Sequence, residues 1–163
     1  MSEPAGPLAV DYSRCYHQGV RVPDLEAAMA ELGSAMALDW CEPQQRDQAL
    51  WLPDVGTTSV PLRFTYSAEG PLHLELLQGQ PGTIWDAGAG AGLHHTGVWT
   101  DDIKGDTTNL LDAGWAMVGA QQSPEDGFGA MTYVQAPSGY ILELVSTVVQ
   151  PMFERWWAGG DLA

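Results

Sequence analysis

The stretch His17-Gln-Gly19-Val20-Arg-Val-Pro-Asp24-Leu25 recurs 78 residues further on as His95-Thr-Gly97-Val98-Trp-Thr-Asp-Asp102-Ile103. A second echo follows in the same order, Leu74-Glu75-Leu76-Leu77 against Leu142-Glu143-Leu144-Val145. Two echoes in the same order and at roughly the same spacing mark a fold built from like supersecondary units, so this chain is read as two tandem modules, the first carrying about ten extra residues. A pseudo-twofold relating them would bring the repeated residues together.

Each module opens on a run of β-branched and aromatic residues, 16–22 and 93–99, read as a strand. A helix should follow each. Asp24 is placed to cap the first, with Glu26 in its first turn. Leu25, Ala28, Met29 and Leu32 then recur at helical spacing before Gly33, which is expected to end it. The second helix, 102–112, contains the weak formers Gly105, Thr107, Thr108 and Asn109 and must be held by packing of Ile103, Leu110 and Leu111. Further strands are predicted at 36–41, 60–66 and 72–78 in module one (15–78), and at 116–121, 130–135 and 140–147 in module two (93–147). Residues 49–52 receive no assignment, the Gly-rich stretch 79–92 reads as the linker, and 123–129 as a mobile loop. The tail, 151–163, has Pro151 suited to a first helical position and carries Met152, Phe153, Trp156 and Trp157. It is expected to be a closing helix packed on the sheet, the alternatives being a lid or the contact surface of a homodimer. The expected architecture is α+β, a single domain over 1–163 in which two βαβββ-like modules form a cupped, partly closed mixed sheet with the helices outside.

Charge narrows the partners. Six Lys and Arg stand against 21 Asp and Glu, a net −15, and such a field repels phosphate backbones and acidic membrane surfaces, so nucleic acid is excluded. A strongly anionic substrate would need Arg14, Arg21, Arg46, Arg63 and Arg155 to converge. No stretch reaches the ~20 apolar residues of a membrane span, and residues 1–10 have neither a basic region nor a long apolar one, so a cytoplasmic location without membrane contact is expected. At 163 residues the chain can build a core without disulfides, and Cys15 and Cys41 need not pair.

Side chains alternate across a strand. If Val20 and Val22 face the first helix with Tyr16 and Gln18, then Cys15, His17, Gly19 and Arg21 share the concave face. The same parity sets His95, Gly97 and Trp99 on that face and turns His94 away. It places His73 and Glu75 opposite Leu74 and Leu76, and Glu143 opposite Leu142 and Leu144. Taken singly, a strand histidine is often a hydrogen-bonded structural residue, and a glutamate between leucines the solvated face of an edge strand. Together, one His and one Glu at equivalent places in each module point to a shared divalent cation, which would offset the cost of burying two carboxylates.

The segments His17-x-Gly-Val-x-Val-Pro-Asp24-Leu25, Leu74-Glu75-Leu76, Gly92-Leu93-His94-His95-x-Gly-Val, Ala136-Pro137-x-Gly139 and Leu142-Glu143-Leu144-Val145 together resemble the vicinal-oxygen-chelate superfamily of glyoxalases, epimerases, extradiol dioxygenases and bleomycin-resistance proteins. The likeness is nearest to the methylmalonyl-CoA epimerase and glyoxalase I branches. It implies a curved sheet closed around one metal ion, with His17, Glu75, His95 and Glu143 as ligands.

Two imidazoles and two carboxylates make a neutral site with a divalent ion (Zn, Ni, Co, Mn or Fe) and leave two of six octahedral positions for water or substrate. The expected activity is that of an isomerase, epimerase or lyase acting on a small carbonyl substrate through an enolate or enediolate, with Glu143 and Glu75 as the proton-transferring groups. His73 is a candidate acid or substrate contact, Arg21 a candidate carboxylate binder, and Trp99 and Tyr133 candidate walls of an apolar cavity. Cys15 would lie at the rim as inert filler. The rival classes are a non-haem Fe(II) ring-cleaving dioxygenase, which the fourth ligand disfavours, and a metal-free small-molecule-binding protein of the resistance type.

Overall fold

The computed structural model describes residues 10–163; residues 1–9, on which most of the leader-free reading rests, lie outside it. Module one runs β1 (Cys15–Arg21), α1 (Leu25–Met36), β2 (Gln44–Leu52), β3 (Gly56–Tyr66) and β4 (His73–Gly79). Module two repeats the order with β5 (Gly92–Thr100), α2 (Ile103–Asp112), β6 (Ala116–Ala120), β7 (Met131–Gln135) and β8 (Ile141–Ser146), and α3 (Gln150–Trp157) follows. Within each module the first and last strands pair parallel and the remaining pairs are antiparallel. The strands close in the order β1-β4-β3-β2-β6-β7-β8-β5. The modules meet twice, along the antiparallel β1–β5 ladder and at a single β2–β6 pair, Trp51 with Ala120. This is the cupped, partly closed mixed sheet that the repeat requires.

The repeated aspartates are the helix caps. Asp24 accepts from the Ala27 amide and Asp102 from the Gly105 amide, both at 2.9 Å, each satisfying an amide that the helix leaves orphaned, worth about 1 kcal/mol. Outside the sheet, Leu25 and Ala28 of α1 pack on Val22 and Leu76, and Leu110 of α2 packs on Val98, Val134, Leu142 and Leu144. The poor formers of α2 are held as expected: Thr107 is fully buried, with its hydroxyl 3.0 Å from that of Thr132.

Three segments depart from the expectations. α1 does not stop at Gly33 but continues to Met36 and ends with Ala37 in the left-handed region, φ 54°, so no strand forms at 36–41. Gly33 is there to admit an indole: a Cβ on it would lie 2.9 Å from Trp40 Nε1, which donates to the Met29 carbonyl. The unassigned residues 49–52 belong to β2, whose polar stretch Gln44-Gln-Arg-Asp-Gln48 masks the strand. α3 forms where expected, but it packs into the mouth of the cup. Trp156 lies 5.8 Å from Phe64 and 5.5 Å from Tyr66, both inward-facing.

Candidate metal centre

The central strands β4, β1, β5 and β8 lie side by side, and their register builds the site in two rows. Gly19 pairs with Glu75 on one side and His95 on the other; Gly97 pairs with His17 and Glu143. Each row thus has glycine in its middle, flanked by the glutamate of the same module and the histidine of the other. A Cβ on Gly19 would sit 2.0 Å from His95 Cε1, and one on Gly97 1.9 Å from His17 Cε1. The repeated His-x-Gly pattern therefore has a reciprocal cause: each module's glycine vacates the space that the other module's imidazole fills.

The four donors converge. His17 Nε2 and His95 Nε2 are 2.9 Å apart. Glu143 Oε2 lies 2.7 Å from His95 Nε2 and 3.1 Å from His17 Nε2, and Glu75 Oε1 lies 3.2 and 3.4 Å from the same two atoms. All four residues are buried and offer ligand atoms within 4.8 Å of one another. Glu75 Oε1 is nevertheless without a hydrogen-bond partner. A buried carboxylate oxygen beside two imidazole nitrogens, yet bonded to neither, is aimed at a common centre. The set fits a divalent cation, whose two charges balance the two carboxylates.

The electrostatics are those of a site in which protons stand in for a cation. Burial alone would push His95 down; the Glu143 and Glu75 carboxylates outweigh it and raise the imidazole to about 9. His17 rises for the same balance of reasons. Both glutamates fall below the usual carboxylate range, burial opposing the shift and the two histidines driving it. A metal must displace these protons, so binding is coupled to proton release.

Around the centre, strand parity fails twice and at equivalent places. A β-bulge between Cys15 and His17 makes Tyr16 the extra residue of β1, and another makes His94 the extra residue of β5. Tyr16, expected to face α1, therefore turns inward and stacks on Trp99 at 3.8 Å. Cys15, expected at the concave rim, packs instead in the cluster beneath α2. His94, expected to point away, lies T-shaped to Tyr133 at 5.4 Å, with its Nδ1 2.8 Å from His95 Nδ1. Burial, with His95 and Arg21 beside it, pushes His94 down to about 4, so it stays neutral and accepts from His95 Nδ1–H. That bond fixes the ring so that His95 Nε2 faces the centre, where loss of its proton would free a lone pair for a metal. A period-two pattern cannot reveal a bulge; the only trace in the sequence is that an aromatic ring precedes the histidine in both modules.

The remaining candidates are scattered. His73 stacks on Trp157 at 3.8 Å and donates Nδ1–H to the Ser67 carbonyl at 2.7 Å. Arg21 lies under the linker with Nη1 3.4 Å from the Ile84 carbonyl. Trp99 is buried behind Tyr16, whereas Tyr133 lines a cavity and its hydroxyl accepts from Trp85 Nε1 at 3.2 Å. The arginines do not converge: Arg14 pairs with Asp101 at 3.0 Å and Arg63 with Glu26 on the surface, while Arg46 lies at the cavity. That cavity, about 210 Å³, fills the cup between the centre and α3, bordered by Glu75 and Glu143 below and by Met152 and Phe153 above.

The sequence pattern of the glyoxalase/bleomycin resistance protein/dioxygenase superfamily matches residues 16–134. The chain belongs to this superfamily. Solved structures agree on the superfamily's fold. A hypothetical protein of Bacillus halodurans superposes with a TM-score of 0.57 at 17% identity, over 81% of this chain and 92% of that one. A Streptomyces coelicolor methylmalonyl-CoA epimerase variant bound to 2-nitronate-propionyl-CoA gives 0.57 at 21%, over 82% and 93%. A variant of 4-hydroxymandelate synthase from Streptomyces coelicolor gives 0.55 at 15%, over 81% of this chain and 48% of that one. No curated protein sequence matches the chain. Among the described residues no helix is long and apolar enough to cross a membrane.

Proposed function

We propose that the chain is a metal-dependent isomerase, epimerase or lyase that moves the α-proton of a small carbonyl substrate, with His17, Glu75, His95 and Glu143 as ligands. The observation that carries this reading is the division of the four donors: both histidines are sealed, whereas both carboxylates border the cavity. A divalent ion there, whether Zn, Ni, Co, Mn or Fe, would polarise a carbonyl oxygen and stabilise the enolate left when its α-proton departs. Glu75 and Glu143 come from different modules, and both border the floor of the cavity, within reach of a substrate held there. One takes the α-proton and the other returns it, which inverts or isomerises the α-carbon. Tyr16, Tyr66 and Tyr133 remain protonated and available as donors, because burial and the nearby carboxylates push their hydroxyls up.

The epimerases among the structural neighbours support this class of reaction, and four ligands speak against the three-ligand iron site of a dioxygenase. Calorimetric titration of chelated protein with divalent metals tests the reading, followed by ¹H-NMR of α-deuterium incorporation in heavy water. One tightly bound metal per chain and exchange abolished by chelation are expected. Exchange that survives metal removal overturns the reading, as does oxygen consumption on a catechol in the Fe(II) form without any exchange.

A further inference from the structure

The cavity has a chemistry of its own. An apolar cavity of about 150 Å³ accommodates benzene, so about 210 Å³ takes a single ring with a short side chain. Tyr16, Phe64, Tyr66, Trp85, Tyr133 and Phe153 supply aromatic walls from both modules and the roof. Among the described residues the only cationic side chain on its lining is Arg46, whose Nη2 donates to the Leu162 carbonyl and, at 3.3 Å, to Gln44 Oε1. Two carboxylates form the floor of the cavity and the chain carries a net charge of −15, a field that repels a polyanion, whose charges one arginine cannot meet. Val149, Met152, Phe153 and Leu162 border the cavity on the side of α3.

Among the described residues the lining carries two polar atoms without a close hydrogen-bond partner, Glu75 Oε1 in the metal centre and, outside it, Tyr16 Oη. Tyr16 Oη is buried and unbonded, on a ring fixed against Trp99 at 3.8 Å and against His17 at 4.4 Å. A buried hydroxyl is left unbonded only at a cost, and an oxygen-bearing ligand entering the cavity would satisfy it.

We infer that the substrate is a compact, uncharged aryl carbonyl compound whose ring packs between the aromatic walls and one of whose oxygens accepts a hydrogen bond from Tyr16. Acyl-CoA thioesters and other polyanions are excluded. This rests on the carbonyl chemistry proposed above, but the ligand class is read from the cavity and has its own test.

Binding is measured first in chelated protein, by saturation-transfer NMR, with acetophenone, 2-hydroxyacetophenone, ethylbenzene and methylmalonyl-CoA as probes. The two ketones and ethylbenzene should bind and the thioester should not. Tyr16→Phe should weaken the ketones about tenfold while leaving ethylbenzene unchanged, as loss of one hydrogen bond predicts. Met152→Trp, which fills the roof side, should abolish binding of all three ring compounds with metal affinity intact. Thioester binding without ketone binding overturns the inference, and so does equal loss of ketone and hydrocarbon in Tyr16→Phe. Deuterium exchange is then followed in metal-loaded protein with 2-hydroxyacetophenone. Ketone binding without exchange upholds the ligand class and overturns the proposed reaction; exchange on the thioester alone does the reverse.

Discussion

His17 and His95 occupy equivalent places in the two modules, yet their far sides differ. His95 Nδ1 is tied to His94 Nδ1 at 2.8 Å, whereas His17 Nδ1 is buried with no partner. The cause is the residue that each bulge pushes inward. In module two it is His94, which turns to brace the neighbouring imidazole; in module one it is Tyr16, whose ring joins the lining of the cavity. The lesson is that duplication fixes the backbone device, a bulge one residue before the ligand, while the side chain placed there gives each half its own work.

The comparison breaks most completely where the modules are still alike. Gly19→Ala and Gly97→Ala each drive a methyl into an imidazole of the other module, at 2.0 and 1.9 Å. Both should lower metal affinity by at least about a hundredfold and destabilise the fold by about 1–3 kcal/mol. Calorimetry and thermal melts check this, and a clear difference between the two variants would show that the rows are not equivalent.

Metal removal sharpens the electrostatic side. With no cation the His95 imidazole is raised from 6.5 to about 9, so its stabilising contribution is complete below pH 6.5 and is lost as pH rises through about 9. Glu75 and Glu143 are lowered, so their contribution is present above pH 4.5 and is lost on acidification. Chelated protein should therefore melt highest between about pH 4.5 and 6.5 and lose melting temperature toward pH 9. Metal-loaded protein should show no such alkaline loss, because its histidines are already deprotonated ligands.

Smaller effects should separate the bulged residues. His94→Phe removes the acceptor behind His95 and should weaken metal binding about tenfold, with partial recovery in His94→Asn. Tyr16→Phe should leave metal binding unchanged. Competition with a chromophoric chelator and the visible spectrum of the Co(II) form report on both. The smallest effect is expected at the surface pair Arg63 and Glu26, which ties α1 to β3 with the Glu26 side chain largely in water. Arg63→Ala should give no resolvable shift in a thermal melt.

Much of this was legible in the chain because two periodicities coincide. The long repeat pairs His17 with His95 and Glu75 with Glu143, and strand alternation puts all four on one face; neither depends on knowing the partner strands. Features set by partners were hidden. The bulges at Tyr16 and His94 exist only in the β1–β5 register, and Gly33 reads as a helix stop until Trp40 is seen against it. β2 receives no assignment from the sequence because its outward residues are polar and its inward ones include Arg46 and Gln48. Arg21 lay on the expected strand, but its surroundings are decided by how the linker folds back, which local sequence does not encode.

The single β2–β6 pair, Trp51 with Ala120, acquires a mechanical meaning from its position. In the ring of eight strands it lies diametrically opposite the β1–β5 ladder that carries the two histidines. The molecule is in effect a band with a hinge on one side and a clasp on the other. Because one bridge is far easier to part than a full ladder, the ring is weakest at the clasp, beside the cavity-lining residues Gln48, Ala49 and Gln121. Compliance and precision are thus assigned to opposite walls, and strain taken up at the clasp need not disturb the metal-binding atoms across the ring.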